Sequence, residues 1–293
     1  MKKTVFLTLV AALAFSMSAC HNGEQQNERQ LTQITISDTT LEQEGLLTEI
    51  TWQDGRITSL HKNNPYETIG TRFAESYFDY TLNFTYEGDK VVKYQDHKFY
   101  ITVDYEGDRI KEMNQYTLDS NIHMYQVIFN YEGDDVVKVT RNSISHDAIL
   151  WLEALLYNRI DSTGVPVRLE RPSDLELSPS MYTTWHMQNG NMIANETEYL
   201  RDSLTVNTTL EYDDKINPFY NNPSRFDHLD MFTLLQVYGD NDCGISKNNV
   251  VKATVHTGEM EYVLDYSYEY DGDYPIVKNN TKMNSKEHYH YNK

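Results

Sequence analysis

Tyr86-Glu87-Gly88-Asp89 recurs almost word for word as Tyr105-Glu106-Gly107-Asp108 and as Tyr131-Glu132-Gly133-Asp134, and valine or isoleucine soon follows each copy. The glycine of each copy can take the positive φ of a tight hairpin loop, and its acidic neighbours keep the turn in water. Each copy therefore predicts an aromatic strand, an acidic turn and a returning strand. Looser copies are Trp52-Gln53-Asp54-Gly55, Tyr212-Asp213-Asp214-Lys215 and Tyr270-Asp271-Gly272-Asp273.

Alternation with a period of two surrounds these turns, which is typical of strands with one buried face. One face of the first strand carries Phe78, Tyr80, Leu82, Phe84 and Tyr86, and the other carries Asp79, Thr81, Asn83 and Thr85. The stretches 99–105, 125–131 and 262–270 alternate in the same way. Parallel strands buried on both faces would be apolar throughout, so these strands are predicted to be antiparallel.

Two segments interrupt the strand pattern and predict short helices. The first, Ser145 to Asn158, is rich in leucine and alanine, and Ser145 or Asp147 can cap it. The second, Ser224 to Tyr238, begins with a capping-box spacing and is followed by glycine.

The fold class predicted for residues 31–293 is a single, mainly all-β domain with two short helices in its loops. A meander of roughly ten to fourteen strands with one apolar face has to cover that face. Closure into a barrel or a strongly curled half-barrel achieves this. An outer-membrane barrel with its aromatic faces toward lipid is the alternative, although a lipid anchor would then be redundant.

The N-terminus indicates the compartment. Residues 1–19 combine early lysines with a short apolar run and resemble the signal peptide of a bacterial lipoprotein, which is cut before a cysteine that then carries lipid. That cysteine is Cys20, and residues 20–30 are predicted to form a flexible tether. An ordinary secretory signal with a chance cysteine is the alternative. Cys243 then has no partner for an intramolecular disulfide.

Charge excludes one class of partner. The 293 residues include 44 acidic and 25 basic side chains, a net charge of −19, whereas nucleic acids and anionic membrane surfaces attract basic patches. No nucleic-acid partner is expected, and membrane association is expected only through the lipid on Cys20.

The residues also carry a resemblance. Tyr212 to Phe219, Ser246 to Lys252 and Tyr268 to Pro275, in that order, are similar to the signature of a family of Bacteroidota lipoproteins of unknown function with a porin-like fold. The sequence departs from that signature where Asp273 separates Gly272 from Tyr274. The resemblance implies a barrel-like envelope protein and no catalytic residues. The repeated Tyr-Glu-Gly-Asp motifs are also distantly similar to Rhs-type tyrosine-aspartate repeats.

Motifs of enzyme chemistry were not found: the sequence has no nucleophile elbow, zinc-protease motif, phosphate loop or paired-cysteine metal site. We therefore predict no enzyme activity, no cofactor, no catalytic residue and no metal site. His288 and His290 share a strand face and could ligate a metal, but a frayed tail is the plainer interpretation. The acidic turns could bind calcium, but solvated hairpin tips are again the plainer interpretation. A hydrolase with paired carboxylates is a remote alternative.

The tyrosines are the candidate binding residues. Tyr86, Tyr105, Tyr131, Tyr212 and Tyr270 are predicted to lie on one face at one end of the barrel. There they could bind a glycan or a small hydrophobic ligand, or simply pack in the core. The first hypothesis is thus a non-enzymatic lipoprotein anchored in the outer membrane, on its periplasmic or its surface-exposed side, that binds such a ligand. The alternative is a structural or assembly module that binds a partner protein through its acidic turns and loops.

Overall fold

The computed structural model describes residues 29–38, 45–63, 79–157, 165–220, 245–281 and 284–292, which form sixteen strands and one helix. The strands are β1 (Leu31–Asp38), β2 (Gly45–Gln53), β3 (Arg56–Lys62), β4 (Tyr80–Glu87), β5 (Lys90–Gln95), β6 (Phe99–Glu106), β7 (Arg109–Thr117), β8 (His123–Glu132), β9 (Val136–Ser143), β10 (Ser178–Gln188), β11 (Asn191–Tyr199), β12 (Leu204–Ile216), β13 (Asn248–Thr257), β14 (Met260–Asp271), β15 (Tyr274–Asn280) and β16 (Ser285–Tyr291). The helix α1 (His146–Leu156) lies between β9 and β10.

All sixteen strands form one closed antiparallel barrel in chain order. β1 and β16 close it, with pairing from Leu31 opposite Tyr291 to Asp38 opposite Ser285. The predicted meander and its closure are confirmed, but the strand count exceeds the predicted one. The returning strands explain the difference, because several are short and lack a clear alternation; β5, for example, has only six residues.

Burial alternates along the strands as the sequence predicts. On β12, Val206, Thr208 and Leu210 are buried and point inward, while the residues between them are exposed. The exposed positions of β4, β12 and β14 are mostly polar: Thr81, Asn83, Thr85, Thr205, Asn207, Thr209, Glu211, Asp265, Ser267 and Glu269. Scattered apolar exceptions on the outer wall are Tyr182, Ile193 and Val263. The barrel is therefore mainly apolar inside, with buried polar side chains such as Thr183, Asn195 and Arg141 among the core residues, and largely polar outside.

The interior is packed by two large clusters of buried side chains and by a small third one, Val206 with Val255. The larger cluster takes residues from β4–β14 and from α1, so different walls of the barrel meet in one core. The second one combines β1–β3 and β16 with Phe219. Leu82, Ile101 and Met113 are fully buried in the larger cluster. Truncating side chains of this kind typically costs about 2–5 kcal/mol, so this packing is a main source of stability.

Helix α1 confirms the first helix prediction. Ser145 is its N-cap, and its Oγ accepts a hydrogen bond from the Ala148 amide at 3.3 Å. Ala148 and Leu152 pack in the larger cluster. The described residues contain one helix and not the predicted two, because the segment 224–238 lies outside them. The helix found in the described part of the chain is too short to cross a membrane.

The barrel has two distinct rims, because alternate strands of an antiparallel barrel run in the same direction. Even-numbered strands end at what we call the tyrosine rim, which carries the turns 54–55, 88–89, 107–108, 133–135, 189–190 and 272–273. Odd-numbered strands end at the opposite rim, which carries α1 and the turn joining β5 to β6. The chain enters β1 at the tyrosine rim.

Asp96 organises the turn between β5 and β6 at the opposite rim. Its side chain is 1% exposed, and its Oδ1 accepts the amides of Lys98 at 2.7 Å and Phe99 at 2.6 Å. Oδ2 has no hydrogen bond among the described residues. Burial raises the pKa of the Asp96 carboxyl above its ordinary value of 3.8, and the two amides only partly offset that effect. Lys98 in turn donates to the carbonyl of Leu156 at the end of α1.

We expect Asp96→Asn to gain stability relative to the wild type as pH rises. The folded protein holds the Asp96 proton at pH values where the unfolded chain has lost it, so the wild type loses stability between 3.8 and the raised pKa, whereas asparagine does not titrate. Urea unfolding of both proteins from pH 3.5 upward measures this difference. A difference that is flat with pH contradicts the prediction. Asp96→Ala is the control, because it loses the acceptor but does not titrate, and it should be less stable than Asp96→Asn by about 1–3 kcal/mol at every pH.

Candidate functional site

The repeated tyrosines join neighbouring hairpins at the tyrosine rim. The hydroxyl of Tyr86 donates to the carbonyl of Ile57 at 2.7 Å. Ile57 lies in β3, the returning strand of the preceding hairpin. Tyr105 donates in the same way to Val91 at 3.0 Å, and Tyr131 donates to Ile110 at 2.9 Å. Each bond therefore links the end of the outgoing strand of one hairpin to the start of the returning strand of the preceding hairpin.

These bonds form where backbone pairing between hairpins has stopped. Pairing between β3 and β4 reaches only Ser59 opposite Asn83, so Ile57 lies beyond the last backbone pair. The pairing of β5 with β6 and of β7 with β8 likewise stops before Val91 and Ile110. A carbonyl that loses its strand partner needs another donor, and the tyrosine hydroxyl supplies it.

The same contact continues round the barrel, and we call the set the tyrosine ladder. Its further members are Trp52 Nε1 to the Leu31 carbonyl at 2.8 Å, Tyr212 to Met192 at 2.5 Å, Tyr268 to Val250 at 3.0 Å and Tyr291 to Pro275 at 2.8 Å. Seven of the eight even-numbered strands thus contribute a rung, and β10 carries Met187 at the corresponding place. Trp52, Tyr268 and Tyr291 were not among the residues predicted from the sequence, although all three lie near the ends of even-numbered strands.

Basic side chains reinforce three successive rungs. The Arg56 guanidinium lies 5.5 Å from the ring centre of Tyr86 and 2.5 Å from a carboxylate oxygen of Asp89, so one cation bridges the tyrosine and the tip of the next hairpin. The arrangement repeats with Lys90, Tyr105 and Asp108, and with Arg109, Tyr131 and Asp134. The acidic tips therefore have cationic partners within the chain. Such exposed pairs contribute little stability singly and mainly hold the tips in register.

The five predicted binding tyrosines all lie at this rim. Tyr86, Tyr105, Tyr131 and Tyr212 are rungs of the ladder, and all but Tyr131, which is 36% exposed, pack partly buried against the larger core cluster. Tyr270 stacks on Tyr268 and donates its hydroxyl to Asp213. Their hydroxyls thus bind the protein's own acceptors. Ligand binding by these residues stays a prediction.

Asp213 is the centre of a polar cluster at the same rim. Its carboxylate accepts the hydroxyl of Tyr270, the amide of Lys215 at 3.0 Å and the amide of Asn249 at 3.1 Å. Burial and the Asp213 carboxylate strongly raise the pKa of Tyr270, so this tyrosine remains a donor at physiological pH. Burial also raises the pKa of Tyr86 to about 12, which keeps that rung protonated as well.

A second set of bonds fastens the chain on both sides of the segment between β12 and β13. The Asn217 side chain donates to the Ser246 carbonyl at 2.9 Å, and the Asn217 amide donates to the Lys247 carbonyl at 3.0 Å. Asn248 donates to the Lys215 carbonyl at 2.8 Å, and Ser246 Oγ lies 2.9 Å from the Tyr212 hydroxyl. We call these bonds, together with those of Asp213, the clasp. The three segments of the family signature therefore meet in one structural cluster.

A small cavity adjoins the clasp. Its volume is about 10 Å³, and its walls are formed by residues 217–219, Asn249, Val250, Tyr268 and Tyr289. A space of this size holds about one water molecule. That volume is too small for a sugar ring or a lipid chain.

The two histidines of β16 contact β1, where the barrel closes. Nε2 of His288 lies 3.0 Å from Ser37 Oγ, and Nε2 of His290 lies 3.1 Å from Thr35 Oγ1, so both rings bond to β1. Within the described ranges, no three His, Cys, Asp or Glu side chains come together as metal ligands would.

Tyr105→Phe should destabilise the barrel by about 0.5–1.5 kcal/mol, because it removes one partly buried hydrogen bond and leaves the Val91 carbonyl without its donor. Urea unfolding measures the change. Tyr100→Phe is the matched control, since the Tyr100 hydroxyl bonds Asn121 in an exposed position. An equal loss in both variants would refute a structural role for the ladder.

Asp213→Asn should cost about 1.5–3 kcal/mol, because an amide cannot replace a charged acceptor that receives several donors. Asp214→Asn, a change at the exposed neighbouring residue, should cost less than about 0.5 kcal/mol. Thermal unfolding of the two variants compares them directly. The clasp is not important for stability if both melt at the same temperature.

Comparison with known proteins identifies the fold. A porin-like protein from Bacteroides vulgatus is similar, with a TM-score of 0.56, 15% identity and coverage of 90% of this chain and 99% of the other. A porin-like protein from Bacteroides uniformis has a TM-score of 0.50, 12% identity and coverage of 89% and 98%. No family model matches the chain, and no curated protein is similar to it. The expected porin-like fold is confirmed.

Proposed function

We propose that this protein is a non-enzymatic lipoprotein of the cell envelope. Its barrel is surrounded by water, not lipid, and binds a partner protein. A lipid on Cys20 holds it to the outer membrane. The observation that carries the proposal is the polarity of the wall, which is mainly apolar inside and largely polar outside.

A barrel that spans a membrane has the reverse polarity. Its outward side chains form an apolar band about 25 Å tall, and its interior is polar. Here the outward positions of β4, β12 and β14 carry threonine, asparagine, serine and carboxylates, while the larger core cluster fills the interior between those strands. Carboxylates on a lipid-facing wall would be destabilising, so water suits this surface and a separate anchor is needed.

The packing favours a partner protein over a ligand inside the barrel. The ladder tyrosines donate to backbone carbonyls, and the cavity beside the clasp admits only a water molecule. Large apolar side chains are exposed at the opposite rim, where Leu155 is 58% exposed, Met260 56% and Leu204 40%. At the tyrosine rim, Ile216 is 43% exposed. Such side chains lose their contact with water when a partner protein covers them. The acidic tips contribute less to such a contact than the sequence suggested, because cations of the same chain already pair with them.

Removal of the anchor tests the proposal. A variant with Cys20→Ala, made with an ordinary cleavable secretory signal in place of residues 1–19, should appear in the soluble periplasmic fraction without detergent. The wild type should sediment with membranes and incorporate labelled palmitate.

The purified anchor-free variant should also be monodisperse in buffer and produce no conductance in planar lipid bilayers. If it sediments with membranes, requires detergent or conducts ions, the barrel itself spans the membrane and the proposal is wrong. If the wild type incorporates no palmitate, the anchor on Cys20 is wrong.

A further inference from the structure

We infer that the tyrosine rim faces the membrane and that the opposite rim is the surface directed away from it. This inference rests on the proposed lipid anchor at Cys20. It follows from where the chain leaves the barrel and from how firmly it is held there.

The chain is fixed to the tyrosine rim up to Arg29. The Arg29 guanidinium pairs with the Asp271 carboxylate at 2.6 Å and lies 5.6 Å from the ring centre of Tyr274. A cation between a tyrosine ring and a carboxylate also occurs at the other hairpin tips, although here the tyrosine is the first residue of β15. Gln30 and Asn292 exchange hydrogen bonds through both their backbone and side-chain groups. The tether is therefore attached at the rim and not along the wall.

The length of chain before Arg29 limits how the barrel can be oriented relative to the bilayer. Arg29 follows Cys20 by nine residues, which span at most about 30 Å when fully extended. Their root-mean-square span as a coil is only about 17 Å. The barrel wall, taken from the ten residues of β8, is about 25 Å high when strand tilt is included. To place the opposite rim on the bilayer, the tether would have to run down the whole wall, which uses nearly all of its extended length.

Residual negative charge keeps the rim out of the bilayer surface. Arg56, Lys90 and Arg109 neutralise one carboxylate each at successive tips, and Glu132 pairs with Lys138, but Glu87 and Glu106 remain beside them. A rim with this residual negative charge is not drawn into an anionic headgroup layer. The tether therefore keeps the tyrosine rim near the membrane without insertion. Leu155, Leu204 and Met260 at the opposite rim point into the aqueous compartment, where a partner protein can reach them.

Energy transfer to the bilayer tests this orientation. Single cysteines are introduced by Glu106→Cys at the tyrosine rim or by Glu259→Cys in the hairpin between β13 and β14 at the opposite rim, both in a Cys243→Ser background. The two glutamates are exposed residues at hairpin turns, so they form a matched pair. Each lipidated protein carries a donor dye and is reconstituted in vesicles that contain an acceptor-labelled phospholipid. Transfer should be clearly more efficient from position 106 than from position 259.

Equal transfer, or more transfer from position 259, overturns the orientation. A twenty-residue Gly-Ser insertion between Glu28 and Arg29 should lower transfer at position 106 toward that at position 259, and an unchanged difference would show that the tether does not set the orientation. The mass of the wild-type protein separates the two proposals. A chain without lipid overturns the anchor and the orientation together, whereas a lipidated chain with equal transfer overturns the orientation alone.

Discussion

The hydrogen bond from a strand-end tyrosine to the carbonyl of the preceding hairpin is the contact on which this barrel depends. Sixteen strands pair well along their middles, but neighbouring hairpins separate at the tyrosine rim, and backbone pairing between them stops before their turns. A phenol is long enough to bridge that gap and apolar enough to pack its ring on the core. It therefore satisfies a carbonyl and buries surface in the same place, which neither phenylalanine nor threonine does. This explains why a surplus of tyrosine, 23 residues against 10 phenylalanines, accompanies the hairpin repeat.

The sequence predicts much of this architecture because the features involved are local. Alternation along 80–86 or 125–131, the glycine of each turn and the cap at Ser145 each act within a few residues. The partners of the ladder could not be predicted, since the acceptors are backbone carbonyls that any residue can supply. The short returning strands were undercounted for a related reason: β5 and β15 are held by pairing on both sides and need little alternation of their own. The clasp became visible only when the fold brought Asp213, Asn249 and Tyr270 together.

The polarity of the wall is set separately from the closure of the barrel. A closed antiparallel barrel is compatible with lipid or with water, because closure satisfies the strand edges in either case. What decides between them is which face of each strand is apolar, and a shift of one residue in the alternation would exchange the two faces. The turn repeat fixes that choice here: the tyrosine before each turn follows the inward face, as Leu82, Phe84 and Tyr86 show. The repeat that builds the hairpins therefore also directs the aromatic faces inward.

The two rims differ in how their side chains are satisfied. At the tyrosine rim, the ladder, the paired tips, the clasp and the attachment of Arg29 use hydrogen bonds and charges that lie within the chain. A surface whose polar groups are already satisfied gains little from a new partner, because each existing bond would have to be exchanged for another. At the opposite rim, α1 covers part of the core with Ala148 and Leu152 and leaves Leu155 in water. Burial of such apolar side chains by a partner gains about 25 cal/mol per Å² with no bond to exchange. The physical difference between the rims thus agrees with the proposed orientation, in which the rim whose polar groups are satisfied faces the membrane and the opposite rim faces a partner protein.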